Sequence, residues 1–409
     1  MTTERIYRTD QYASECVSEI VNVKEIKGCD AIVCSASVFY PEGGGQPSDT
    51  GTVSLGGRIF EVVSAHDESL EGPVWHYTDA PAGTFSPGDE VTLTIDWDQR
   101  FINMQRHLGE HMLSGTFHTL FGGVNKGFHM GEDYITIDID LDGRMLTEEE
   151  LDLAEREVNE AVWADLPVTV NWFDDYESSL IMPVRKQVPH DGRVSVVMVG
   201  DLPDPYDCIA CCGTHPSTSG QVGLVAIYKC DPNKGMNRVF FDCGKRALEH
   251  LSADSKELSG IAKRYSCKTA DLPSRLDSEA ENISSLKGRL AALASYVSEK
   301  EKALILEEIA ASKAGVYVYS TDILSTDELL KLGFAVSAET SGMLLVFMQT
   351  AANTCLLFSS GDARCGNLVK ENAAAYHGRG GGRDDNARAL FGDLKDMKSF
   401  ANALEEMVK

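Results

Sequence analysis

Two histidines four residues apart, in Arg106-His-Leu-Gly-Glu-His-Met112, are the first residues whose type and spacing suggest chemistry. Positions i and i+4 of a helix share a face, so His107 and His111 can grip one metal ion. Such pairs also arise by chance on many helices. The pair gains weight from a segment about a hundred residues later, Cys208-Ile-Ala-Cys-Cys-Gly-Thr-His215. A thiolate and an imidazole close together in a glycine-containing turn can form the second half of a metal site. These donors suit zinc better than magnesium or calcium, which prefer oxygen.

The first half has a competing use. His107-x-x-Glu110-His111 fits the inverted zincin pattern, in which Glu110 would be the general base of a peptidase. That alternative needs an acidic third ligand and leaves the Cys-Gly-Thr-His segment unused. Outside it, Glu110 is most simply a solvated helix residue. A third feature, Phe39-Tyr-Pro-Glu-Gly-Gly-Gly-Gln-Pro-Ser-Asp-Thr-Gly51, carries consecutive glycines that can adopt positive φ and bring backbone amides close to a ligand. Taken alone, such a run is more often a tight turn between strands.

The elements that must position these residues are an α+β multidomain set. Residues 1–95 read as short β runs between turns, a small barrel or sandwich. Residues 96–245 read as an α+β domain, with helical spacing from Asp98 to Phe121 and strands such as Val194–Val199. Thr147 with Glu150 resembles a capping box opening an acidic helix. Residues 246–312 are helical, broken near Thr269–Pro273. Beyond the break Leu276, Ile283, Leu290, Val297 and Leu304 fall every seventh residue, with Leu286 and Leu293 between them. This is either a coiled coil, which would make a homodimer, or a long helix packed along its own chain. Residues 313–409 alternate strands and helices as a small α/β domain. Within it, Gly378-Arg-Gly-Gly-Gly-Arg383 should precede a helix from about Asp385. No Walker-type loop occurs.

Composition narrows the partners. The net charge is −26, which excludes a broadly basic RNA-binding face. From Gly361 to Lys409 acidic and basic residues are equal in number, so a local RNA contact remains open there. No apolar run approaches the roughly 20 residues that span a bilayer, so no membrane partner is expected. The polar start from Met1 to Tyr12 shows no secretory signal, and the expected location is cytoplasmic. Eleven cysteines at mostly irregular positions fit free thiols with a few metal ligands.

Taken in order, Gly43-Gly-Gly-Gln46, His107-x-x-x-His111 and Cys211-x-x-x-His215 resemble the editing domain of alanyl-tRNA synthetase and its freestanding relatives, the AlaX proteins. The resemblance extends to Phe128-His-Met-Gly131, to Arg193-Val-Ser-Val-Val197 and, in the tail, to the glycine loop of the synthetase's C-terminal domain. It implies a long AlaX form: small N-terminal β-barrel, zinc-binding editing domain, long helical segment and C-terminal α/β domain. It implies Zn2+ held by His107, His111, Cys211 and His215. Gln46 would be the pocket glutamine, with Ser37, Gly44, Gly45 and His129 around the substrate and Arg379 and Arg383 on tRNA. Two positions depart from the pattern. Cys212 replaces a usual glycine and could compete with Cys211 for the metal, and Ser37 stands where relatives commonly have threonine.

The implied reaction is ATP-independent hydrolysis of the ester joining a wrong amino acid, serine and by family glycine, to alanine tRNA. The editing-type motifs begin before residue 50, so the expectation is a protein that corrects charged tRNA in trans without charging it. Size alone cannot spare the smaller alanine. A polar group that hydrogen-bonds the serine hydroxyl can, and Gln46 or Ser37 would supply it. The peptidase and a non-catalytic zinc-stabilised RNA-binding module are the alternatives. His118 reads as a packing residue, and His190 and His377 carry no clear signal.

Overall fold

A computed structural model describes residues 2–186, 192–312 and 314–407. The chain divides into two units, Met1–Gly260 and Ile261–Lys409. The first contains the barrel strands β1 (Glu15–Ile26), β2 (Cys29–Cys34), β3 (Gly51–Leu55), β4 (Arg58–Asp67), β5 (Val74–Pro81) and β6 (Glu90–Ile95). They close as an antiparallel barrel in the order β1-β2-β5-β4-β3-β6, which leaves no free edge. Strict alternation explains the closure: on β6, Val91, Leu93 and Ile95 point inward and pack with Ile20, Ile32 and Val53. Of the two alternatives, barrel or sandwich, the barrel holds.

The rest of this unit is built on helix α1 (Trp97–Phe121). Asp96 caps it by accepting the Gln99 N–H at 3.1 Å, and Gly122 ends it at φ 71°. Strands β7 (Val124–Met130) and β8 (Ile135–Asp140) follow, then helix α2 (Glu148–Trp163) with the capping box of Thr147 and Glu150. Next come β9 (Val168–Phe173), β10 (Val194–Val199), β11 (Asp207–Ala210), β12 (Val225–Asn233) and β13 (Met236–Cys243). A four-stranded antiparallel sheet, β12-β13-β8-β7, packs against α1 and α2. Leu108, Met112 and Phe117 of α1 meet Ile135, Ile137 and Phe241 of the sheet there. A three-stranded sheet, β9-β10-β11, stands beside it.

Arg100 ties the barrel to α1. Its guanidinium is fully buried, with Nε 2.9 and 3.0 Å from the two Asp49 carboxylate oxygens and a further N–H donating to the Val38 carbonyl at 2.6 Å. Neither charge has access to water, so each depends on the other.

Helix α3 (Gly244–Arg264) crosses the division between units. Helix α4 (Leu272–Ala311) starts with Pro273 in its first turn, where proline's missing N–H costs nothing. Its last turns pack Val297, Ile305 and Ile309 against helix α5 (Thr326–Ser337), as a self-packed helix would. The heptad residues Leu276, Ile283, Leu286, Leu290, Leu293 and Leu304 are exposed.

The remaining elements are β14 (Val316–Thr321), β15 (Leu344–Gln349), β16 (Thr354–Ser359), helix α6 (Cys365–Asn372), β17 (Arg379–Gly382), β18 (Asn386–Leu390) and helix α7 (Leu394–Met407). The sheet order is β14-β15-β16-β18-β17, with only the β14–β15 pair parallel. Both faces of β15 are covered, which is why it reads as an unbroken apolar run. One expectation fails here. The helix expected from about Asp385 is strand β18, and the glycine-rich stretch before it is strand β17, paired as a hairpin from Gly382–Ala387 to Arg379–Leu390. Added Cβ atoms at Gly380 and Gly382 would sit 2.0 and 2.3 Å from β18 carbonyl oxygens, so glycine serves close strand packing here.

Replacing Arg100 by Met should lower the stability of the first unit by about 3–5 kcal/mol, because Asp49 is left buried without its counter-ion. Replacing Arg144, whose pair with Glu150 is solvent-exposed, should cost about 1 kcal/mol or less. All four tryptophans lie in the first unit, so urea unfolding followed by tryptophan fluorescence reads this unit alone.

Candidate metal centre

Helical geometry places His107 and His111 on one face of α1, with ring centroids 4.8 Å apart. The turn after β11 brings Cys211 and His215 to the same face. His215 lies 4.8 Å from the His107 ring and 5.2 Å from the His111 ring, and Cys211 Sγ is 3.3 Å from His107 Nε2. One donor atom from each of the four falls within 4.8 Å of the others. Gly213 makes this approach possible: a Cβ there would lie 2.2 Å from His107 Cε1.

The donor set fits a metal on a structural ground. Both ring nitrogens of His111 and of His215 are buried without an aligned hydrogen-bond partner. Buried polar atoms left in this state are costly unless something else pairs with them. Imidazole nitrogens converging on a thiol are the arrangement in which an ion such as zinc resolves that cost.

Both cluster histidines on α1, His107 and His111, are steadied from behind. Gln46 Oε1 accepts the Thr214 N–H at 3.1 Å, and its Nε2 donates to Thr214 Oγ1 at 2.8 Å, which fixes the amide orientation. The same Oε1 lies 2.8 Å from His107 Nδ1, so that nitrogen donates and Nε2 keeps its lone pair for the cluster. Behind His111 stands Glu110, whose Oε2 is 2.9 Å from His111 Nδ1, an ion-pair contact rather than an aligned hydrogen bond. Its Oε1 accepts from Ser114 at 2.7 Å and from Asn125 at 2.8 Å. Glu110 is therefore no solvated residue, contrary to the sequence expectation. Every position from Asn103 to Phe117 is buried, so this stretch of α1 has no solvent face to offer it.

Charge within the cluster follows from this crowding. Burial opposes ionisation of Cys211, but His107, His111 and His215 outweigh it and hold the thiol well below its usual value. Burial likewise opposes the His111 cation, which Cys211 and Glu110 nevertheless raise to about 10. Glu110, against its own burial, is brought to about 2 chiefly by His111 and Arg185. His215 falls to about 4 because burial dominates. Without an ion, Cys211 thus favours its thiolate and His215 its neutral imidazole, the forms a metal ligand needs, while His111 favours its cation and would give up that proton on binding an ion.

A cavity of about 500 Å3 opens onto the cluster, lined on this side by Gly44, His107, His111, Phe128 and Cys211. Gly44 and Gly45 occupy the centre of a turn closed by Gly43 and Gln46, with φ of 58° and 83°. A Cβ on Gly45 would strike Phe128 at 2.5 Å.

Other expected residues lie elsewhere. Ser37 is fully buried in the barrel, 2.7 Å from Nε2 of His76, whose pKa burial lowers to about 4. Gln46 is likewise committed to His107 and Thr214. His129 is exposed because strand alternation sends Phe128 into the cavity and its neighbour outward. His118, expected to be a packing residue, is exposed near the end of α1. Arg379 and Arg383 are exposed on the second-unit hairpin, and His190 lies outside the described residues. The residue that sequence reasoning missed is Gly213, whose signal was its place between Cys211 and His215.

A closed barrel joined to an α+β layer carries the His3Cys cluster, and two family models match parts of this unit. Residues 6–99 match tRNA synthetases class II (A), and residues 194–240 match the threonyl and alanyl tRNA synthetase second additional domain. Among individual proteins, the chain is 28% identical to the alanyl-tRNA editing protein AlaX-L of Pyrococcus horikoshii, over 99% of this chain and 98% of that one. It is also 28% identical to the alanine--tRNA ligase of Caldivirga maquilingensis and 29% identical to that of Pyrococcus abyssi, over 98% and 100% of this chain. It spans only 44% and 43% of those ligases. The agreement along the chain bears out the resemblance to the alanyl-tRNA editing proteins.

Glu110→Gln keeps the shape of the side chain and removes the charge that orients His111. Divalent-metal affinity should fall about 10–100-fold, measured by competition with a chelator. An unchanged affinity would show that the carboxylate does not set the ligand.

Proposed function

We propose that this protein hydrolyses the ester of mischarged alanine tRNA, removing serine and also glycine, with Zn2+ at the His107, His111, Cys211 and His215 cluster. The observation that carries this is the convergence of these four side chains beside a cavity, in a chain matching an alanyl-tRNA editing protein over nearly the full length of both. When bound, the ion would supply a Lewis acid at the inner wall of the cavity.

The chain's own groups do the rest. Gln46 and Glu110 act as positioning residues, holding His107 and His111 by their Nδ1 atoms. Gly44 leaves room for the substrate at the turn, and the Phe128 ring, 5.5 Å from His107, limits the water beside it. Serine is distinguished from alanine by a hydrogen bond to its hydroxyl, which alanine would leave unmade in the closed pocket. Ser37 and Gln46 are already engaged, so this reading assigns them to the framework rather than to the hydroxyl. The peptidase alternative loses ground, because Glu110 is held by Ser114, Asn125 and His111 and a thiol stands where an acidic ligand was needed. The exposed seam of α4 supports pairing of two copies through that helix, and the exposed Arg379 and Arg383 support a tRNA contact on the second unit.

The test is deacylation of alanine tRNA charged with serine, glycine or alanine. The serine ester should be cleaved about 100-fold or more faster than the alanine ester. Intact esters in every case, with zinc bound, would favour a non-catalytic RNA-binding module.

A further inference from the structure

The outer wall of the cavity differs from the inner one. Trp172 on β9, Lys186 and Arg193 stand there, with Leu70 and Ile209 between them. In a protein of net charge −26, the only acidic side chain lining this cavity among the described residues is Glu110, which is buried and already paired. The outer wall is basic.

Among the described residues, those basic groups are little neutralised. The Arg193 guanidinium lies 5.3 Å from the Trp172 ring centroid, and its only carboxylate contact among the described residues is Asp174 at 4.0 Å, itself 97% exposed. Among the described residues, Lys186 reaches only the Asn125 carbonyl, at 3.4 Å. Lys126 lines the adjoining hollow with Lys186 and is exposed, without an ion pair among the described residues. Arg8, 4.8 Å from the same indole, is by contrast spoken for by Glu71 at 2.9 Å and the Leu70 carbonyl. The indole Nε1 of Trp172 is buried and donates to nothing among the described residues. Among the described residues, an indole with an unused donor, the loosely paired Arg193 and Lys186 thus line one cavity. Single-stranded nucleic acid is recognised by that combination: phosphodiesters by the cations, a base or ribose by the ring and its N–H.

We infer that Trp172, Arg193 and Lys186 form the seat of the 3′-terminal nucleotide of the acyl-tRNA. This inference rests on the proposed editing reaction and names the part of the substrate that the outer wall takes. Arg193 and Lys186 pair with the last phosphodiesters. Trp172 holds Arg193 in place and offers its N–H to the nucleotide. The acyl group then extends inward to the His3Cys wall. A 500 Å3 cavity falls in the range that takes a ligand of acyl-nucleoside size.

The zinc-loaded full chain is titrated with two fluorescent RNA minihelices, one ending in the complete 3′ end and one lacking the terminal adenosine. Deacylation of seryl-tRNA is measured in parallel. Wild-type protein should bind the complete end about tenfold or more tightly than the truncated one. Arg193→Ala and Lys186→Ala should each raise KM more than they lower kcat, and each should reduce the salt slope of binding by about one. Trp172→Leu should erase most of the preference for the complete end. Arg193→Lys should restore the salt slope, which a merely structural role for Arg193 would not produce. Zinc content near that of wild type identifies variants that have folded. Equal sensitivity to truncation in wild type, Arg193→Ala, Lys186→Ala and Trp172→Leu would overturn the inference while leaving the editing reaction intact. A wild-type protein that cleaves no ester would instead overturn the reading beneath it.

Discussion

Helix α1 buries polar side chains on consecutive turns, and every one of them has to find a partner away from water. From Asn103 to Phe117 no residue is exposed, yet the stretch holds Gln105, Arg106, His107, Glu110, His111 and Ser114. Desolvating such groups is costly unless each is paired. The partners come from distant parts of the chain: Gln46 for His107, Asp242 for Arg106, Asn125 for Glu110 and the Gln221 carbonyl for Gln105. The barrel, both sheets and the Cys-Gly-Thr-His turn must therefore close on this helix together. The cluster of donors is a consequence of that closure and also one of its reasons.

The local parts of this arrangement were legible because they obey short-range rules. A spacing of four puts two histidines on one helical face, the capping box at Thr147 opens α2, and alternation on β6 fills a barrel. What was not legible depended on how completely α1 would be enclosed. A single amphipathic face would leave Glu110 in water, and the helix has no such face along this stretch. The same holds for Gln46 and Ser37, placed near a substrate by resemblance. Each is committed to a histidine, His107 and His76, that lies far away in sequence. In the tail, glycine density suggested a loop leading into a helix. Glycine there serves two strands in close contact, a need that composition alone does not distinguish from a turn.

Overall charge was a poor guide to local charge. The value of −26 describes the average surface, whereas a ligand meets only the field of the cleft it enters. On the proposed reading, acidic residues elsewhere would steer unspecific nucleic acid away, while Lys186 and Arg193 at the cavity would meet a phosphodiester favourably. An acidic protein with a small basic mouth gains selectivity for an end over a helical body, because only an end fits such a mouth.

The adjacent thiols Cys211 and Cys212 show how much of the site is set by environment rather than by residue type. Neighbours in sequence, they could compete for one ion, and the departure from glycine at position 212 raised that concern. Their surroundings push them apart. Three imidazoles face Cys211 and favour its thiolate, while burial, and then the charge of Cys211 itself, raise Cys212. Cys212 turns toward the glycine turn instead, with its Sγ 3.6 Å from the position a Gly44 Cβ would take. Gly213 then allows the chain to return toward His107, which a side chain at that position would block. A second thiol is tolerated at 212 because the glycine that the His3Cys cluster requires is the next one along.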